Sequence, residues 1–145
     1  MKFAVFLMAT GIALAQSVVT NLADAKWTHD KGDPPGSESV FLREDARTGG
    51  MELLVRFPAG HVIAPHWHPT TEHLTVLTGT IALGMGNTFD QSAMKDLSTG
   101  GYAAMPAEMH HSFMAKTAAT IQVHGMGPFA INYVNPADDP RQQKK

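Results

Sequence analysis

The stretch from Gly60 to Gly79, GHVIAPHWHPTTEHLTVLTG, limits the fold more than any other part of this chain. His66 and His68 are one residue apart, so on an extended strand both imidazoles project to the same face. At a rise of about 3.3 Å per residue their Cα atoms stand roughly 7 Å apart, close enough for two rings to converge on one ion at a metal–nitrogen distance of about 2.1 Å. Pro69, Thr70 and Thr71 read as a turn that returns the chain as a neighbouring strand, and this brings the Glu72 carboxylate to the same place. A further nitrogen is expected from the other histidine-dense stretch, Gly100 to His111. His110 and His111 are adjacent and face opposite ways on a strand, so only one can point at the ion, and His111 is the expected ligand.

The surrounding pattern is that of short strands. Met51, Leu53, Val55 and Phe57 alternate with Glu52, Leu54 and Arg56, which predicts a strand with one buried face. Val40 to Arg43 is a second, shorter strand. If Glu72 faces the site, Leu74 and Val76 share its face, whereas His73 and Thr75 point away, and His61 has the wrong parity relative to His66. Thr78-Gly79-Thr80 predicts a tight hairpin turn, after which Ile81, Leu83 and Met85 alternate with small residues. Gly86 to Ser98 breaks the alternation and reads as a long connection. Strand character returns over Tyr102 to Met105, in His111, Phe113 and Ala115, which share a face, and over Thr120 to His124. Gln122 and His124 share a face that points either into the cavity or outwards. Phe129, Ile131 and Tyr133 predict a last strand or arm, and Asn135 to Lys145 a polar, mobile tail. No segment after residue 25 carries helical periodicity over three turns, so the pattern predicts an all-β sandwich or barrel.

At this point the chain resembles a known family. Gly60-x5-His66-x-His68-x3-Glu72-x6-Gly79 matches the first motif of the cupin superfamily at every fixed position. Gly100-x5-Pro106-x-Glu108-x2-His111 is similar to the second motif, with Glu108 where the family usually has glycine and Ala115 where it usually has asparagine. The run Gly125 to Arg141 resembles the tail of small secreted single-domain cupins. The resemblance covers most of the chain after about Gly50 and implies a double-stranded β-helix, a jelly-roll barrel in a single domain. It also implies homodimers, because single-domain cupins often pair through strands outside the barrel.

Length and composition set the remaining bounds. The 145 residues, 43% of them hydrophobic and 17% charged, suit one folded domain with one core. Eleven Lys and Arg against 13 Asp and Glu give a net charge of −2, and the one basic run is Lys144-Lys145. Nucleic acid is therefore not an expected partner. The chain contains no cysteine, which excludes disulfides, thiolate ligands and thiol nucleophiles. At the N-terminus, Lys2 precedes the apolar run Phe3 to Ala15, with small residues at Ala13 and Ala15 and a second A-x-A at Ala23 and Ala25. This is a secretory signal pattern over residues 1–25. It predicts an exported, periplasmic or secreted protein with a cupin domain over 26–145 and its core at about 40–134. The apolar run is too short to span a bilayer comfortably, so the mature form is expected to have no membrane partner.

Three imidazoles and one carboxylate, from His66, His68, His111 and Glu72, make an N3O donor set. It suits one divalent ion of Fe, Mn, Ni, Co or Zn. Four protein ligands of an ion that prefers six leave positions for substrate, water or dioxygen. The expected walls are Leu53, Val55, Leu74, Val76, Ile81, Leu83, Tyr102 and Phe113, without a lysine or arginine placed to grip an acid. The expected substrate is therefore a small, weakly charged organic molecule. These features predict a metal-dependent dioxygenase or related oxidoreductase of the Fe or Mn type. Two alternatives stay open: a non-enzymatic cupin that binds a small ligand, and a redox-neutral lyase or isomerase in which His124 or Tyr102 moves a proton.

Overall fold

The computed structural model describes residues 17–30 and 32–142. Ten strands follow in order: β1 (Glu38–Glu44), β2 (Gly50–Phe57), β3 (Val62–Trp67), β4 (Glu72–Thr78), β5 (Thr80–Met85), β6 (Lys95–Ser98), β7 (Tyr102–Met105), β8 (His111–Ala115), β9 (Ala119–Met126) and β10 (Asn132–Tyr133). They form two five-stranded sheets, ordered β1-β2-β9-β4-β7 and β10-β3-β8-β5-β6. All pairings within them are antiparallel. The fold is all-β, as the strand pattern predicts, and is the jelly-roll barrel that the resemblance of the two histidine motifs implies.

Period-2 patterning builds the core. Met51, Leu53, Val55 and Phe57 from β2, Leu74 and Val76 from β4, and Ile121 and Val123 from β9 form the inner face of the first sheet. Ile81, Leu83, Phe113 and Ala115 oppose them from the second sheet. Each large aliphatic or aromatic side chain buried this way contributes about 1.5–3 kcal/mol.

In four places the structure departs from simple alternation. Thr78-Gly79-Thr80 is not a hairpin turn but a corner, since β4 belongs to the first sheet and β5 to the second. Gly79 has a φ of 80°, and a Cβ there would overlap the Ala118 carbonyl, so no side chain fits this crossing. In β3, Ile63 pairs with Phe113 and His66 with His111, so three steps along β3 answer two along β8. Pro65 lies in this bulge, where a missing N–H costs the ladder nothing. The long connection after Gly86 contains the edge strand β6, which the sequence hides because only Leu97 of its four residues is apolar. Finally, the tail is anchored rather than loose over its described part. Pro136–Asp138 forms a 3-10 turn capped by the Asn135 side chain, and Asp139 is buried.

The apolar run Phe3 to Ala15, with the A-x-A at Ala13 and Ala15, lies outside the described residues. The second A-x-A falls in and beside a 3-10 turn, Leu22–Asp24, that buries none of its side chains. No helix among the described residues is long and apolar enough to cross a membrane.

Candidate metal centre

His66 and His111 are directly opposite each other in the β3–β8 pairing, and His68 follows just beyond the end of β3. Glu72 is the first residue of β4, in the other sheet. The four side chains therefore meet between the sheets, and all are buried, with 2–6% of their surface exposed. One nitrogen from each of the three rings lies within 4.8 Å of the other two. Glu72 Oε2 is 3.5 Å from His68 Nε2 and 3.3 Å from His111 Nε2.

Hydrogen bonding fixes which nitrogen faces the centre. Nδ1 of His66 lies 2.8 Å from the Ala64 carbonyl, Nδ1 of His68 2.8 Å from that of Ala130, and Nδ1 of His111 2.9 Å from that of Met109. A carbonyl can only accept, so each Nδ1 carries a proton and each Nε2 is the ring nitrogen left to bind an ion. Burial, reinforced by repulsion from His111 and His68, pushes His66 down to about 3. Burial also lowers His68, although Glu72 and the Ala130 carbonyl oppose the shift. Three ring nitrogens and the Glu72 carboxyl group thus face one another in a buried cluster. Among the described residues no lysine or arginine pairs with Glu72. A buried cluster of acceptors is costly unless a cation sits among them. The donor set fits one divalent transition ion held by His66, His68, His111 and Glu72.

The site opens onto a cavity of about 320 Å³. Leu53, Val55, Leu74, Leu83 and Phe113 line it, as the sequence predicts, whereas Val76 and Ile81 are buried in the core without lining it. Ile63, Ile121, Val123, Phe129 and Ile131 complete apolar walls, and Phe41 with residues 30 and 32–34 stands at the cavity too. His61 belongs on the inward side of the bulge and packs against Phe57, 4.9 Å between centroids, away from the cluster.

Tyr102 and His124 are not in the cavity. His124 pairs across the sheet with His73 and stacks on it at 4.8 Å and 7°, on the face opposite to Val123. Tyr102 is 54% exposed, and its hydroxyl is 2.7 Å from His73 Nδ1. Its strand pairs with β4 so that Tyr102 opposes outward-facing Thr75. Neither side chain can move a proton at the buried cluster from there. Conversely, the cavity walls expected from the sequence omit Phe129 and Arg141. Phe129 stacks on His68 at 4.2 Å and 15°, and Arg141 lines the cavity despite the expectation of no cation there. The alternation of Phe129, Ile131 and Tyr133 was the available signal for the first.

A family model described as the ChrR cupin-like domain matches residues 15–130. No curated protein matches the chain. Among solved structures, KdgF from Halomonas sp. is similar with a TM-score of 0.61 and 19% identity, over 78% of this chain and 96% of that one. The polyketide cyclase RemF from Streptomyces resistomycificus is similar with a TM-score of 0.68 and 16% identity, over 87% of this chain and 91% of that one. A variant of salicylate 1,2-dioxygenase from Pseudoaminobacter salicylatoxidans, in complex with gentisate, has a TM-score of 0.54 and 18% identity, over 64% of this chain and 26% of that one. At these identities the likenesses establish the fold, and a fold that carries both a cyclase and a dioxygenase does not name a reaction.

Proposed function

The chain belongs to the ChrR cupin-like domain family within the cupin superfamily, and from that premise we propose that it is an exported mononuclear-metal cupin. We read it as an Fe- or Mn-type dioxygenase or related oxidoreductase acting on a small, weakly charged organic molecule. The observation that carries the reading is the convergence of three Nδ1-anchored imidazoles and one buried carboxylate at an apolar cavity. When bound, an ion of Fe, Mn, Ni, Co or Zn supplies Lewis acidity, and Fe or Mn also supplies oxygen chemistry. The chain's own part is to hold that ion through His66, His68, His111 and Glu72 and to exclude water with Leu53, Val55, Phe113 and Phe129. Arg141 is the one guanidinium or ammonium group among the lining residues, and its Nε and Nη2 are bonded to Asp139 and the Ile131 carbonyl. The mainly apolar walls, with Asp30 and Asp33 also at the cavity, favour a weakly charged substrate over a carboxylate or phosphate.

The redox-neutral alternative needs a proton carrier besides the ligands, and the outward positions of His124 and Tyr102 weigh against it. A binding protein without catalysis is the second reading, favoured by the arm residues 30 and 32–34 beside the cavity. Oxygen uptake by protein loaded anaerobically with Fe(II) or Mn(II) separates the two. Uptake is expected with at least one catechol, diketone or thiol; tight binding of such a molecule without uptake would leave the binding reading. Export predicts a mature N-terminus at Lys26 in protein recovered from the native compartment, and an intact Met1 there would contradict it. The proposed homodimer is read by light scattering as twice the chain mass.

A further inference from the structure

The three imidazoles are oriented in two different ways. His66 and His111 each donate Nδ1–H to the carbonyl two residues back, Ala64 and Met109, so the strand that carries the ring also aims it. His68 instead donates to Ala130, 62 residues further along, and its ring is covered by the stacked Phe129. The segment around Ala130 joins the barrel through the short β10–β3 pairing, the 2.9 Å bond from Val134 N to the Pro65 carbonyl and a 2.7 Å bond from Thr70 Oγ1 to the Met126 carbonyl. His68 is thus the ligand whose aim depends on a remote piece of chain.

That piece is fastened from the tail. Arg141 donates through Nε to Asp139 Oδ1 at 2.8 Å and through Nη2 to Oδ2 at 2.9 Å, and the same Nη2 donates to the Ile131 carbonyl at 2.9 Å. Asp139 is only 5% exposed while the Arg141 side chain is 39% exposed, so the fork has a buried carboxylate end and a solvent-facing guanidinium, held by two charge-assisted hydrogen bonds. Hydrogen bonding from Arg141 holds the Asp139 carboxyl down to about 2, so the fork persists across the ordinary pH range. Ile131 directly follows Ala130, whose carbonyl receives His68. We infer that the Asp139–Arg141 fork positions the metal ligand His68, acting through the Ile131 and Ala130 carbonyls. This rests on the metal reading above for its purpose, but not for its geometry. Arg141 is a positioning residue: no hydrogen bond or ion pair joins it to His66, His68, His111 or Glu72.

Two readouts on the full chain test this. The first is Co(II) affinity, by competition with a chromophoric chelator, together with the visible spectrum of the Co(II) protein. Arg141→Ala is expected to weaken Co(II) binding about 10- to 100-fold, the range for residues that orient a ligand, and to shift the spectrum. Arg141→Lys should recover part of the loss, since an ammonium cannot reproduce the planar fork. Glu38→Gln breaks the 2.6 Å Arg56–Glu38 pair on the β1–β2 edge and should match the wild type. The second readout is the ring 15N shifts of the metal-free protein. Wild-type His68 is expected in one tautomer, with the proton on Nδ1; in Arg141→Ala it should become mixed while His66 and His111 stay as they are. Asp139→Asn provides the same test if Arg141→Ala does not fold. Unchanged Co(II) affinity, spectrum and His68 tautomer in these variants would overturn the inference. A wild type that takes up no Co(II) but shows the His68 change would overturn the metal reading and leave the positioning role standing.

Discussion

Glu72 and His73 are neighbours in sequence, yet they belong to two histidine clusters on opposite faces of one sheet. Inside, His66, His68 and His111 are at most 4% exposed, come from β3, its end and β8, and each has its Nδ1 tied to a carbonyl. Outside, His73 and His124 are cross-strand partners whose rings lie parallel at 4.8 Å and 7°, with the exposed Tyr102 bonded to one of them. Parallel rings carry their lone pairs in parallel planes, so no ion can lie in the plane of both. The inner rings are tilted at 40–83° to one another, and their remaining nitrogens converge. The difference teaches that histidine content does not make a site; convergence of fixed lone pairs does.

The strongest way to break that comparison is to remove histidines from each side in turn. His111→Ala should lower transition-metal affinity by about 100-fold or more, whereas His73→Ala and His124→Ala should stay within about twofold of the wild type, as read by chelator competition. Equal losses on both faces would erase the distinction drawn here. The next largest effect concerns stability, because the inner cluster joins the two sheets. Ion at about 1,000 times its Kd should stabilise the chain by about 4 kcal/mol over chelator-treated protein, and His73→Ala should show the same increment in denaturant titrations.

Acid sharpens the comparison further. Metal-free His66 stays neutral down to about 3, whereas in the unfolded chain it takes a proton near 6.5. The unfolded state therefore binds more protons between those values. The contribution is fully present above 6.5 and is lost as pH falls through the window, at up to about 1.4 kcal/mol per pH unit. Denaturation midpoints of metal-free protein at pH 7 and pH 5 should fall more in the wild type than in His66→Asn, and equal falls would contradict the burial argument. The smallest effect lies in the turn that leads to His111. Glu108 holds a φ of 62°, and its N–H donates to the His68 carbonyl at 2.8 Å. Glu108→Gly relieves that left-handed strain and should raise stability by about 1 kcal/mol in thermal or denaturant unfolding.

Much of this was legible before any coordinates. The spacing of His66, His68 and Glu72 and the parity of His111 brought four distant side chains to one place, because strand periodicity and a cupin-like motif agreed. The alternation of β2 likewise gave Leu53, Val55 and Phe57 their inward direction. The bulge at Pro65 was not legible, because one extra residue reverses parity without changing composition. The Gly79 corner resembled a hairpin, since a glycine at positive φ serves both and only the partner strand differs. His124 offered two faces of equal plausibility until its register against His73 was known. The roles of Ala130 and Arg141 escaped because one acts through its backbone and the other through a neighbour's, and neither leaves a spacing rule.

X-ray absorption at the metal edge, on protein loaded to saturation with Mn(II), Fe(II) or Co(II), tests the central claim most directly. The account predicts one ion per chain with three imidazole nitrogens and a carboxylate oxygen in its shell, and loss of one imidazole in His111→Ala but none in His124→Ala. A shell of water and carboxylate oxygen alone, unchanged in His111→Ala, would contradict it.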